Sequence, residues 1–319
     1  MPAIRRLAHS EINKTHWDEC VSASPQCILY GLSWYLDVAS PNWEALVQQD
    51  DDNYLAVFPI PVRRKYGFSF IHQPLFCQFL RVFSSKPIDY QLFVEELLKH
   101  YRFAAKLNLA SRPFTGDLNI HLLQTHLLDL SPDYHTIHQQ YSFDRKQNLK
   151  RALKSNWQLQ ESQDVRSMIQ LFRQNHENRI RGGVAADAYL TLEKLFDEIQ
   201  KRGLGKLWYA TQQGRVEAAC WFVFSGNRVI YLFNAASSLG RKGNARTFLL
   251  DKFFQEYAGR GYVFDFESPT IEAIDQFYAS FGAKAEVFWQ VSWNRLPRWV
   301  NWVWGIKNRF RTILENRAT

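Results

Sequence analysis

The chain has 319 residues, 46% of them hydrophobic, and a net charge of +8 from 39 Lys and Arg against 31 Asp and Glu. That length suits two domains better than one, and that composition excludes a disordered chain. No apolar run reaches the roughly 18 residues a membrane span needs, and the basic balance favours an anionic partner: nucleic acid, acidic lipid or a phosphorylated substrate.

In chain order, 33–39 (SWYLDVA) and 54–67 (YLAVFPIPVRRKYG) read as strands, with the polar 48–53 as a turn between them. Pro59 and Pro61 demote part of the second run to an edge or irregular strand, because proline donates nothing to a ladder. Residues 89–104 form a helix with Leu92, Phe93, Leu97 and Tyr101 on its apolar face. Residues 118–131 give one or two short strands, and Ser131-Pro132-Asp133 marks a boundary and a helix start. Three helical stretches follow, at 134–156, 164–177 and 187–201; the last carries Leu192, Leu195, Phe196 and Ile199 on one stripe.

Strands at 206–212, 216–224 and 228–236 are joined by Gln-Gly-Arg and Ser-Gly-Asn, links rich in residues that tolerate positive φ. A helix at 243–258, the strand YVFDF, a helix at 269–281 opened by Pro269 and closed by Gly282, and a strand at 285–293 complete the chain. That order predicts an α/β (α+β) fold: an antiparallel meander, then helix-linked strands parallel to their partners, in a mixed sheet with helices on both faces. The expected division is 1–130, 131–297 and a terminal helix at 298–319.

The chemistry-bearing residues concentrate late in the chain. Asp265 and Glu267 alternate with Phe264 and Phe266, so period two puts both acids on one face and both rings on the other. A carboxyl desolvated at a strand end is raised in pKa and suits a general base; the structural alternative is an acid pair that caps the next helix or binds an arginine. Ser268 fits a helix N-cap better than a nucleophile. Tyr278 is either a proton donor to a leaving group or a core aromatic. Tyr231, Asn234 and Ser237, on the third meander strand, are candidates to orient polar groups of a substrate, or simply strand and turn residues.

Cationic groups come next. Arg145, Lys146, Lys150 and Arg151 form one basic helical face, and Arg179 and Arg181 sit in a glycine-bounded segment; both sets could bind phosphates or an RNA backbone, or face solvent. The run LGRKGNAR places Arg241, Lys242, Gly243, Asn244, Ala245 and Arg246 around a helix start, where free N–H groups and the helix dipole favour anions. Ordinary helix initiation explains the same glycine. Cys20, Cys27, Cys77 and Cys220 make no CxxC or zinc spacing, which fits a reduced, cytoplasmic compartment, and the N-terminus has no apolar core of the signal-peptide kind. His135 and His138 lack a third ligand, so no metal is expected.

Four segments, at 144–157, 231–237, 264–283 and 291–297, resemble the FemAB-like branch of the GNAT-like acyltransferases, specifically over 134–297. The resemblance implies tandem GNAT-like domains, the first a degenerate copy, with QPLFCQF (73–79) lining a shared groove. It also implies transfer of an acyl or aminoacyl group to an amine. The donor would be acyl-CoA or aminoacyl-tRNA, and the acceptor a small or lipid-linked molecule such as a cell-envelope precursor of peptidoglycan. The family's anion motif is Gln/Arg-x-x-Gly-x-Gly/Ala; Gly243 and Ala245 match, but Gly240 stands at the Gln/Arg position and Arg241 comes one place late. Acyl-CoA and charged tRNA therefore both remain open.

The segment 298–319 reads as a cationic amphipathic helix with Trp299, Val303, Ile306, Phe310 and Ile313 on one stripe. It suits peripheral contact with the inner face of a membrane, or packing against the first domain. Two functions of different class follow: an N-acyltransferase using Glu267, Asp265 and Tyr278, or a non-catalytic GNAT-like module that binds RNA or anionic lipid. A scaffold for envelope assembly, anchored by the same tail, is a third.

Overall fold

The computed structural model describes residues 2–50, 53–65, 67–114, 118–180, 182–268 and 271–297. The first half runs β1 (Ile4–Leu7), α1 (Lys14–Ala23), α2 (Ser33–Ala39), β2 (Glu44–Asp50), β3 (Asn53–Ile60), β4 (Val62–Lys65), β5 (Phe68–His72), β6 (Phe83–Ser84), α3 (Tyr90–His100), β7 (Phe103–Leu109) and β8 (Asn119–Asp129). The second runs α4 (Tyr134–Gln139), α5 (Phe143–Lys154), β9 (Gln158–Ser162), α6 (Arg166–Asn175), α7 (Ala186–Lys201), β10 (Gly205–Gln212), β11 (Arg215–Ser225), β12 (Arg228–Ala236), α8 (Ser238–Lys242), α9 (Ala245–Tyr257), β13 (Val263–Asp265), α10 (Glu272–Ala279) and β14 (Lys284–Asn294).

Two sheets result. The smaller has the order β1-β2-β3-β6, and the larger, ten-stranded one β4-β5-β7-β14-β8-β13-β12-β11-β10-β9. The larger sheet is mixed, with β12/β13 and β5/β7 parallel and its other ladders antiparallel. The two halves of the chain share it, because β8 inserts between β13 and β14 and β14 continues onto β7. β14 therefore runs parallel to β13 but pairs only with antiparallel neighbours, which corrects the expectation that each helix-linked strand lies beside a parallel partner.

Period two divides the core. Trp221 and Ile230 pack on one face with Leu192 and Phe196 of α7; their neighbours Phe222 and Tyr231 pack on the other with Phe253 of α9 and Phe264 of β13. Helices thus cover both faces of the larger sheet.

Several boundaries differ from expectation. Residues 33–39 form α2, not a strand: successive Tyr35 and Leu36 are both fully buried, which a one-sided strand cannot do. The helix is held at its start by the Asp18 carboxylate, which accepts from the Ser33 N–H and hydroxyl at 2.7 Å each. The strand before the 48–53 turn is β2 instead. Pro61 separates β3 from β4, and Pro59 lies beyond the only stretch of β3 that β6 pairs, Ala56 and Val57. Residues 118–131 make one long strand, β8. The helix expected at 243–258 is α9, and an additional short helix, α8, precedes it, the two separated by Gly243 and Asn244, the latter with φ 54°.

Candidate active site

β12 and β13 pair only from Arg228 to Ile230, after which β12 runs on to Ala236 without β13 beside it. Leu232 bulges there, since Trp221 faces Phe233 and Phe222 faces Tyr231. Past Ile230 the two strands part, and the acids stand at the end of β13 where they do so.

Asp265 is fully buried. Its Oδ2 meets Arg228 at 2.8–2.9 Å, and its Oδ1 accepts from the Thr125 hydroxyl at 2.7 Å and from the Glu267 backbone N–H at 2.9 Å. Arg228 in turn reaches Glu286 at 2.7 Å. The expectation of Asp265 as an acid facing the groove is corrected: its oxygens are consumed in holding the turn that follows the strand.

Glu267 behaves differently. Its φ of 47° places it in the left-handed region, uncommon for a residue with a Cβ. That turn ends the strand alternation and takes its carboxylate away from the arginine. Oε1 accepts from the Tyr30 hydroxyl at 2.9 Å, and the residue as a whole is half-buried. Burial, and secondarily the neighbouring Asp265 charge, push its pKa well above the usual carboxylate range; the Tyr30 bond and Arg228 oppose the rise.

The first half of the chain supplies the facing wall. Tyr30, in the 3-10 turn Leu29–Gly31, packs edge-on to Tyr35 at 5.6 Å and Phe79 at 6.2 Å. The Tyr35 hydroxyl donates to the Phe76 carbonyl, and the Gln78 amide donates to the Ser268 carbonyl at 3.4 Å. The segment 73–79 therefore lies against the acid-bearing turn. The Cys77 thiol is raised by burial and, secondarily, by the Glu267 charge.

Tyr278 is buried and stacks on Phe266 with centroids 4.5 Å apart. Its hydroxyl is pushed up to about 12 by burial, the Arg246 charge pulling the other way. Asn234 accepts from Arg246 Nη1 at 2.9 Å, so Tyr278, Asn234 and Arg246 form a cluster behind the acid. Tyr231 is buried with its hydroxyl 3.2 Å from the Cys220 sulfur, inside the aromatic core rather than in the groove. Ser237 is committed to the α8 N-terminus, accepting from the Gly240 N–H at 2.9 Å and donating to Glu217.

Ser268 does not cap α10, whose N-cap is Ile271. It lies 3.1 Å from His126 Nδ1, and Asp275 lies 3.7 Å from that same nitrogen. A nucleophile relay needs serine and carboxylate on opposite ring nitrogens, so this Ser, His and Asp set is no such relay.

Arg145 leaves the basic face expected of α5. It is buried against Phe277 and Phe281 at 4.1 and 4.5 Å, and donates to the Ser280 and Thr247 hydroxyls at 2.8 and 2.7 Å. Burial lowers its pKa to about 10. It braces α5 to α9 and α10. Lys146 donates to the Gln139 carbonyl at 2.9 Å. Arg181 lies outside the described residues, as does 298–319, while Arg179 closes the 3-10 turn Glu177–Arg179.

The proposed anion loop is largely helical. Arg241 and Lys242 end α8, and Arg241 Nη1 donates to the Ala236 carbonyl at 2.7 Å. A Cβ on Gly240 would stand 2.0 Å from the Glu217 carbonyl oxygen, and one on Gly243 2.4 Å from the Trp157 ring. Packing alone thus requires both glycines. α9 begins at Ala245 with no side-chain cap from Asn244, so its first N–H groups, with Arg246 beside them, remain the groups that could meet an anion. No three His, Cys, Asp or Glu side chains gather to hold a metal among the described residues.

Tyr30, Arg228 and Thr125 were not singled out from the sequence. They come from three distant segments and carry no local pattern.

A parted pair of parallel strands, with an acid at the parting and a helix N-terminus following β12, is an arrangement suited to acyl transfer. Residues 144–270 match the model of the acetyltransferase (GNAT) domain. No curated relative matches the chain. Among solved structures, FemX aligns over 89% of this chain and 96% of its own at 10% identity and a TM-score of 0.61. The C-terminal domain of a putative lysylphosphatidylglycerol synthetase from Agrobacterium fabrum aligns over 89% and 93% at 13% identity, TM-score 0.53. A tandem GNAT protein from the clavulanic acid biosynthesis pathway aligns over 92% and 99% at 10% identity, TM-score 0.52. At such identities the likeness is one of fold. Through its GNAT acetyltransferase domain at 144–270 the chain is an acyltransferase, and its fold is similar to that of FemX.

Proposed function

We propose that the protein is an N-acyltransferase in which Glu267 takes the proton from an attacking amine. The observation that carries this is the contrast between two acids two residues apart: Asp265 is neutralised by Arg228, whereas Glu267 is left with one hydroxyl partner and a raised pKa at the groove. A base with a pKa moved toward neutrality is the kind this chemistry requires.

In the proposed step the amine nitrogen attacks the carbonyl carbon of a thioester or aminoacyl ester. Glu267 receives the proton, the C–N bond forms, and the C–S or C–O bond breaks. The leaving thiolate or ribose oxygen takes a proton, for which the Tyr278 hydroxyl, one ring stack behind the acid, is the proposed donor. In this reading backbone N–H groups on the β12 edge past Ile230, where β13 no longer pairs, receive the developing oxyanion. The donor is acyl-CoA or aminoacyl-tRNA, held at the α9 N-terminus near Arg246. The acceptor amine is small or lipid-linked, as in an envelope precursor, met at the inner face of a membrane. No helix among the described residues is long and apolar enough to cross one. In this proposal 1–130 forms one wall of the groove, 131–297 carries the chemistry, and 298–319 makes the membrane contact.

The test is a transfer screen: purified protein with acyl-CoAs or charged tRNA and amine acceptors, the acylated amine detected by mass spectrometry. Amide product from at least one donor supports the proposal. No product from any donor, together with RNA binding that weakens steeply with salt, favours the non-catalytic module instead.

A further inference from the structure

We infer that an apolar pocket beside the acid binds the hydrocarbon chain of the acyl group that is transferred; the inference rests on the acyltransferase proposal and names its substrate class. The pocket has a volume of about 350 Å³, within the range of roughly 300–1,000 Å³ typical of small-ligand sites. It lies between α6, α7 and β12 on one side and the 73–79 segment on the other. Phe172, Ala188, Leu192 and Phe233 form its floor, and Leu75 and Phe76 its lip. Of its eleven lining residues only Tyr189 bears a polar side-chain atom. A charged or sugar-like occupant would lose its water there and gain almost no hydrogen bonds, which disfavours it. A hydrocarbon chain loses nothing of that kind.

Three further observations fix the occupant. Leu75 and Ile180 at the mouth are 48% and 42% exposed, apolar surface that a chain would cover. Phe76 has φ 58°, a strained backbone for a bulky residue, and that conformation sets its ring 6.0 Å from Phe233 as the wall between pocket and groove. A short chain of contacts also links the pocket's Phe76 to the reacting centre. The Phe76 carbonyl accepts from Tyr35, Tyr35 packs on Tyr30, and Tyr30 donates to Glu267. Phe233 precedes Asn234 on the free edge of β12, where the proposed step places the acyl carbonyl. The chain attached to that carbonyl is the part of the donor that reaches both places. An unsubstituted acetyl group would leave the pocket empty.

The binding test uses the full chain and straight-chain carboxylates from butanoate to dodecanoate, in competition with fluorescent 11-dansylundecanoate. Each added methylene is expected to strengthen binding roughly fourfold until the pocket fills, the ratio equivalent to about 0.8 kcal/mol per buried CH2. Ala188→Trp fills the floor and Ala185→Phe, at an exposed position, narrows the mouth; either is expected to flatten the series, with folding checked by thermal unfolding. Equal affinity along the series, or an unchanged gradient in both variants when folded, overturns the inference. Glu267→Gln should keep the gradient. A gradient without transfer from any donor retains the pocket and removes the enzymatic proposal, whereas transfer without a gradient does the reverse. In the transfer assay, kcat/KM should rise with chain length from acetyl to dodecanoyl donors. A flat donor series beside a rise with the lipid chain of the acceptor would assign the pocket to the acceptor and overturn the inference as stated.

Discussion

Replacing Tyr30 by phenylalanine removes one oxygen atom from the site and little else. In the folded protein that hydroxyl donates to Glu267 at 2.9 Å from a fully buried position, and it is one of two groups favouring the charged carboxylate against burial and Asp265. A hydrogen bond to a charged group contributes about 1.5–3 kcal/mol, and 1.36 kcal/mol corresponds to one pKa unit. Losing it should raise the Glu267 pKa by roughly one to two units. The sign follows from the role: the base works when deprotonated, so kcat/KM falls as pH drops through its pKa. Raising that pKa moves the acidic limb of the profile upward by the same amount and lowers activity at a given pH on that limb by about ten- to a hundredfold. Activity at high pH should approach wild type. The assay is kcat/KM for amine acylation across pH for both proteins. An acidic limb unmoved in Tyr30→Phe would refute the link between this hydroxyl and the base.

Glu267→Gln replaces an acid whose folded pKa is raised. That acid's contribution to stability is fully present below the ordinary carboxylate range and is lost as pH rises through the folded pKa, so the variant should gain on wild type in Tm as pH rises and match it in acid. A constant difference across pH would contradict the raised pKa. Asp265→Asn strips the half-buried Arg228 of its fully buried partner and should destabilise by about 3–5 kcal/mol, read by chemical unfolding. A loss below about 1 kcal/mol would show that Glu286 alone satisfies the arginine. Gly240→Ala drives a methyl into the Glu217 carbonyl and should cost at least about 1–3 kcal/mol in unfolding free energy; a neutral result would mean that α8 shifts freely off β11.

The second half of the fold was legible because its signals are local. The meander has tight Gly-containing links, and the stripe Leu192, Leu195, Phe196 and Ile199 of α7 is buried as its spacing implied. The first half was harder. Residues 33–39 carry strand-like aromatics, yet Asp18 and the neighbouring core make them a helix, a tertiary effect no window of seven residues contains. Insertion of β8 between β13 and β14 was equally invisible, since pairing over such separations leaves no periodic trace. For the site, alternation correctly separated the acids from Phe264 and Phe266. It could not foresee that Glu267 adopts positive φ while Asp265 stays in register, and that single dihedral divides their roles. Arg145 shows the converse: a helical spacing that reads as a solvated basic face turns one guanidinium inward between two phenylalanines.

The most direct measurement is the pH dependence of amine acylation by Glu267→Gln. With the carboxylate gone, the amine must shed its proton to solvent. Turnover should therefore collapse near neutrality and recover toward alkaline pH, where the free amine predominates. Wild-type turnover near neutrality in that variant would contradict the assignment of Glu267 as the base.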